Sequence, residues 1–333
     1  MFRPTSPMWM CVVEFFHPQD ILAMSFILVA TAAALSRRWM WCGVAIGLAV
    51  ATQQFSLLPA VLLLVVTPTH SRWKLVLGAT LSTMFVDLPL VVATSGRAMH
   101  VILAGSSRAG AHVTATGGTV IWELHLRGSL LFVVARVVPV LAAAALGWWA
   151  IKRFGPSALE PTNLMALVGV SLAVRLVFEE NLFGYYFMGV AVTLVVVDAV
   201  SGRVRGSTWA WIGLVTLAWN PVNSGLYSNW TTWGGTLNSF LPIGVFLFGL
   251  VAIVLDALQH RVVPYKYAWL VIALLTSESH LWGASTSIIR MPHWGWQIIL
   301  VPSGLALLFR ILPRPASDPS NANETGLQQE STF

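Results

Sequence analysis

Charge is scarce in this chain. Only 10% of its 333 residues are Asp, Glu, Lys or Arg, against about a quarter in soluble domains, so a water-facing globular surface is excluded. Cysteine is nearly absent. Cys11 and Cys42 have no CxxC or ligand spacing and fall on opposite faces of the membrane topology developed below, which argues against a disulfide or a zinc site. No GxxxxGK[ST] loop occurs, so an ATP-driven pump within the chain is not expected. There is no strong internal repeat and no soluble domain. The net charge of +6 and pI near 9.8 raise the question of nucleic acid, but the bases lie in pairs rather than in one stripe, and nucleic acid is not expected as a partner.

What the chain has is apolar length: 56% hydrophobic residues and 16 Trp, with a mean hydropathy of +0.75. Its expected solvent is lipid. Twelve of the 19 Lys and Arg residues fall in six clusters between apolar runs: Arg37/Arg38, Arg72/Lys74, Lys152/Arg153, Arg203/Arg205, Arg261/Lys266 and Arg310/Arg314. By the positive-inside rule these are cytoplasmic turns.

With about 20 residues needed per spanning helix, full spans are expected near 20–36, 73–94, 129–151, 162–178, 182–200, 240–258 and 294–312. The run from Trp39 to Val66 is too long for one helix and is interrupted by Gln53, Gln54 and Pro59. It reads as two short helices meeting at Gln53, which also keeps Arg37/Arg38 and Arg72/Lys74 on one side. Short spans near 208–219 and 267–277 complete an all-α, polytopic bundle of about 11 spans, within a range of 9 to 12. The N-terminus is expected outside and the C-terminus in the cytoplasm. Residues 1–19 form an external segment, 95–128, 220–239 and 278–293 are external loops within a transmembrane domain over 20–312, and 313–333 reads as a disordered tail. An external N-terminus without signal-peptide features suggests a chain that starts part way into a larger fold.

Glu14, Asp20, Glu123, Glu179, Glu180 and Glu278 are expected outside or at the outer boundary, as are six of the eight His. His17, Pro18, Gln19 and Asp20 open the first span, where Pro and an acid in the first turn also serve simply as a helix start. Arg175 and Glu179 are four apart and can pair, whereas Glu180 points about 100° away. With Tyr185 and Tyr186, Glu180 suggests a polar cavity wall, although an interfacial aromatic belt explains the tyrosines as well. Asp87 and Arg136 lie at similar depth and are expected to form an ion pair. In the long loop, Arg97 and Arg108 are candidates for phosphate or glycan contact. Trp230 and Trp233, within NPVNSGLYSNWTTWGG, suit sugar faces or interfacial anchoring. Arg290 joins the substrate-binding candidates from the segment 278–293.

From Phe16 to Lys74 the order is FHPQD, an apolar helix, SRRW, GVAIGLAVATQQFSLLPAVLLLV and RWK. This resembles the GT-C superfamily of membrane glycosyltransferases, especially the bacterial polyprenyl-phosphate-mannose-dependent kind, with its GHPD-like start, RRGRW-like turn and GLAVATKQ-like motif. FEENLFGYYF after Arg175, and PHWGWQ near the last helix, are compatible with it. The resemblance implies inverting transfer of a mannose-like sugar from a polyprenyl-phosphate donor to an external glycan or glycolipid acceptor, without a cofactor or metal. Such transfer needs a carboxylate base and a cationic or hydrogen-bonding pocket for the departing phosphate. The residues that offer this are Asp20, Glu14 or Glu180 as base, with His17, Gln53, Gln54, Arg175, Glu179, Tyr185 and Tyr186 around the substrate. Two departures stand out: the acidic first external loop has no counterpart beyond residues 1–19, and Gln53 stands where the motif carries Lys. A lipid-linked sugar flippase, a small-molecule transporter and a truncated non-catalytic relative are the alternatives.

Overall fold

The computed structural model describes residues 7–9, 11, 17–97, 120–124, 126, 128–179, 184–203, 205–218, 304, 305 and 307–312. Among the described residues the chain is helical and has no strand. The main helices are α1 (Pro18–Leu35), α2 (Trp39–Thr52), α3 (Leu57–Val66), α4 (Arg72–Ala93), α5 (Val138–Phe154), α6 (Pro161–Val177), α7 (Met188–Val200) and α8 (Gly206–Ala218). Pro18 opens α1 where its missing N–H costs nothing. Arg37, at φ 55, turns the chain into α2. A short helical turn over Val120–Glu123 lies inside the stretch expected as loop, and a π-helical turn over Val133–Val137 leads into α5. The spans expected over 240–258 and 267–277 lie outside the described residues, as do most of 294–312 and the tail 313–333.

The interruption at Gln53 is present. Gln53 is extended (φ −151, ψ 129), a 3-10 turn over Gln54–Ser56 follows, and α3 runs back from it. The return direction follows from the neighbours. Gly43 abuts Leu75 and Ala79, Gly47 abuts Ala79 and Ser82, and Gly78 abuts Met40 and Val44. The contacts advance together along both helices, so α2 and α4 are parallel and α3 must cross back between them. Small residues let the two backbones approach closely, and Thr83 Oγ1 donates across the seam to the Gly47 carbonyl (3.0 Å). Elsewhere Gly147 of α5 packs on Leu62 and Val65 of α3, while Gly169 faces Thr193 and Gly189 faces Leu172, making α6 and α7 antiparallel.

Helix direction sorts the polar residues to two ends. One end carries Arg37, Arg38, Arg72, Lys74, Lys152, Arg153, Arg203 and Arg205. The other carries the start of α1, the Gln53 break, the end of α6 and the start of α7. At the basic end, buried Asp198 accepts from Arg205 twice, at its guanidinium (2.5 Å) and its backbone N–H (2.9 Å). Arg72 donates to the carbonyls of Val65 and Thr67, capping α3. The expected Asp87–Arg136 pair does not form: the ion pairs among the described residues are Arg175–Glu179 and Arg205–Asp198. Helix α4 finds its neighbour in α2 and α5 finds its own in α3, so equal depth does not bring Asp87 to Arg136.

Three stretches, Pro18–Leu35, Thr69–Ala93 and Gly128–Leu159, are long and apolar enough to cross a membrane by length and composition. Helix α4 turns Leu81, Phe85, Leu88 and Val92 outward, with Phe85 81% exposed, and a face of that kind calls for a non-aqueous neighbour. The α2–α4 seam generates a test. Gly43→Ala drives a methyl into the Leu75 carbonyl, and the seam must open at a cost of about 1–3 kcal/mol. Thermal unfolding in detergent should detect this loss, with Ala32→Leu on the exposed face of α1 near neutral; an unchanged midpoint for Gly43→Ala contradicts the close approach.

Candidate functional site

Four helix ends meet away from the basic turns. The first turn of α1 brings Asp20, which is buried at 6% exposure, and His17 precedes that turn as its N-cap. The end of α6 brings Arg175, and Glu179, just beyond the helix, reaches back to it (Nε to Oε2, 2.5 Å). The turn Gly184–Phe187 before α7 brings Tyr185 and Tyr186. The 3-10 turn after Gln53 brings Phe55.

The parts interlock through their rings. The Arg175 guanidinium lies between two aromatic faces, 4.6 Å from the Tyr186 ring and 5.0 Å from that of Phe55. Tyr186 meets Tyr185 edge to face at 4.7 Å, and His17 stacks on the other ring, Tyr185, at 4.7 Å and 15°. Cation–π contact and a partly buried ion pair together hold the guanidinium in one plane. Its Nε is committed to Glu179, while its two terminal nitrogens have no hydrogen-bond partner among the described residues.

His17 is oriented from both sides. Gln19 Nε2 lies 2.7 Å from His17 Nδ1. With the amide donating, Nδ1 accepts and Nε2 is left as the protonated nitrogen of the neutral ring. Cys11 Sγ donates to the His17 carbonyl (3.0 Å), and the His17 N–H donates to the Cys11 carbonyl (2.7 Å). Burial, aided by the Asp20 charge, pushes the Cys11 thiol up to about 12, so it stays a neutral donor. Asp20 is within electrostatic reach of both Arg175 and His17. Its carboxylate accepts no hydrogen bond from the described residues.

Among the described residues the Asp20 carboxylate and the terminal nitrogens of Arg175 have no hydrogen-bond partner, so both can meet an occupant of the site. The terminal nitrogens of Arg175 and a protonated His17 Nε2 suit an anion such as a phosphate. Asp20 is then free to accept a proton. Among the described residues no group of His, Cys, Asp and Glu is arranged to hold a metal ion.

Of the residues proposed from sequence, the structure brings together His17, Asp20, Arg175, Glu179, Tyr185 and Tyr186. Gln53 and Gln54 flank the break next to Phe55. Arg97 is exposed beyond the end of α4, with no contact joining it to this cluster among the described residues. Glu14, Arg108, Glu180, Trp230, Trp233 and Arg290 lie outside the described residues. Phe55 and Cys11 were not singled out in the sequence; for Phe55 the available signal was an aromatic directly after the polar pair that interrupts an apolar run.

Glu179→Gln should leave Arg175 charged and uncompensated, lowering stability by about 3 kcal/mol. The double substitution Arg175→Met with Glu179→Leu should recover most of that loss, read by unfolding in detergent. Equal loss in single and double variants contradicts the pairing as the source. No protein family, no characterised protein and no solved structure matches this chain.

Proposed function

We propose that the chain is an integral membrane protein of GT-C type, with about 11 spans. In this reading it transfers a mannose-like sugar from a polyprenyl-phosphate donor to an envelope glycan or glycolipid on the external face. The basic end is cytoplasmic by the positive-inside rule, with the N-terminus outside and the C-terminus inside. The cluster of Asp20, His17 and Arg175 then faces outward.

One observation supports this reading above the others: a buried aspartate that accepts no hydrogen bond from the described residues sits in the field of an aromatic-clamped arginine whose terminal nitrogens have no described partner. Inverting transfer needs those two functions side by side. Asp20 takes the proton from the acceptor hydroxyl, the acceptor oxygen attacks the anomeric carbon, and the bond to the phosphate oxygen breaks. The polyprenyl phosphate leaves as an anion, steadied by the terminal nitrogens of Arg175 and the His17 Nε2–H. Glu179 acts as a positioning residue through Arg175, and the Tyr185 ring holds His17 by stacking on it.

A transporter would carry polar groups through the middle of the bundle. Among the described residues, the buried hydroxyls of Ser171 and Thr193 bond back to their own helices, at Val168 and Val190, which supports chemistry at one end over passage between the two.

Membranes containing the chain should transfer radiolabelled mannose from polyprenyl-phosphate-mannose to glycolipid acceptors. Asp20→Asn should reduce that transfer about 100-fold or more at unchanged protein level. Wild-type rates in Asp20→Asn remove Asp20 as the base. Absence of chain-dependent transfer, with the protein folded, replaces the enzyme by a non-catalytic relative.

A further inference from the structure

We propose that the adjoining starts of α2 and α4 form a docking surface for the headgroups of acidic phospholipids. The inference rests on the membrane-embedded part of the reading above and is independent of the transfer chemistry. The α2–α4 seam sets it up: Met40 meets Gly78 and Gly43 meets Leu75, which brings Arg37 and Arg38 to the same level as Arg72 and Lys74. Arg72 is occupied with the α3 carbonyls. Arg37, Arg38 and Lys74 are exposed and have no acidic partner among the described residues.

Helix stability does not explain Lys74. It stands in the first turn of α4, where positive charge is disfavoured and no acid lies, whereas Arg37 and Arg38 close the end of α1 by donating their N–H groups to the carbonyls of Ala34 and Ala33, a position that tolerates positive charge. Arg37 takes the left-handed conformation (φ 55) of the turn that closes α1. The acids described at this end are Asp198, which Arg205 occupies, and Glu160 in the α5–α6 turn. The charge of Arg37, Arg38 and Lys74 is therefore not balanced by an ion pair among the described residues.

The surroundings specify the partner. Trp41 is 66% exposed one turn above Arg38, and Trp73 is 58% exposed beside Lys74, whose ammonium lies 5.7 Å from the Trp73 ring. Exposed indole rings next to cations, at the foot of the apolar face of α4, match the interface between acyl chains and headgroups. A soluble anion would use the cations but not the tryptophans. A lipid phosphate uses both.

The full chain in detergent, studied by native mass spectrometry with phosphatidylglycerol and phosphatidylcholine in competition, tests this. Retention of phosphatidylglycerol is expected to exceed that of phosphatidylcholine by about tenfold. The triple variant Arg37→Gln, Arg38→Gln, Lys74→Gln, whose changes are all on exposed side chains, should lose most of that preference. Lys152→Gln with Arg153→Gln, neutral changes at another exposed basic turn, should keep it. Equal retention of the two lipids overturns the proposal, as does equal loss in both variants, which would indicate a diffuse field. Displacement of the lipid by millimolar inorganic phosphate overturns it in favour of a free anion. A chain that stays in solution without detergent overturns this inference and the membrane reading together, whereas embedded protein lacking lipid preference overturns this inference alone.

Discussion

With glycines at 43, 47 and 78, the backbones of α2 and α4 come close enough for a threonine of one helix to donate to a carbonyl of the other. Much of the described arrangement depends on that approach. It makes the two helices parallel, which obliges α3 to run the other way, and this in turn brings the Gln53 break to the end where α1 starts and α6 ends. The same register aligns two basic turns at the far end. Gly43 and Gly47 therefore have a packing role that would hold in an active or an inactive protein alike.

Arg175 shows how one charge can be retained in apolar surroundings. Its carboxylate partner satisfies one nitrogen, and two aromatic faces replace water on either side of the plane. This leaves donors directed by geometry alone. His17 and the tyrosine pair extend the aromatic surface toward Asp20, so three polar side chains share one framework of rings. The framework belongs to segments far apart in sequence, and its assembly requires the helix packing to be in place first.

Helix boundaries between residues 17 and 218 could be read closely from sequence because apolar runs there are bracketed by basic pairs. The turn at Gln53 was legible for a sharper reason: a single span would have separated Arg38 from Arg72. The convergence of His17, Asp20, Arg175 and Glu179 followed from their being at alternate ends of successive helices. Lateral neighbours were not legible. Asp87 and Arg136 share a depth but belong to helices with different partners, and depth is only one coordinate. Phe55 looked like any other apolar residue. The Asp198–Arg205 clamp spans seven positions across a turn, outside the three- and four-residue spacing that reveals pairs on a helix.

The interruption at Gln53 also sets a depth. Helix α2 has 14 residues and α3 has 10, or about 21 and 15 Å at helical rise, whereas the hydrocarbon layer is about 30 Å thick. In the proposed placement, with the basic face at one headgroup plane, the peptide groups of the turn would lie below the opposite one. Unpaired backbone at that level must be enclosed by protein or reached by water. In the proposed membrane placement, a lipid phosphate reaching that turn would leave the headgroup level and travel along a path lined by protein or water.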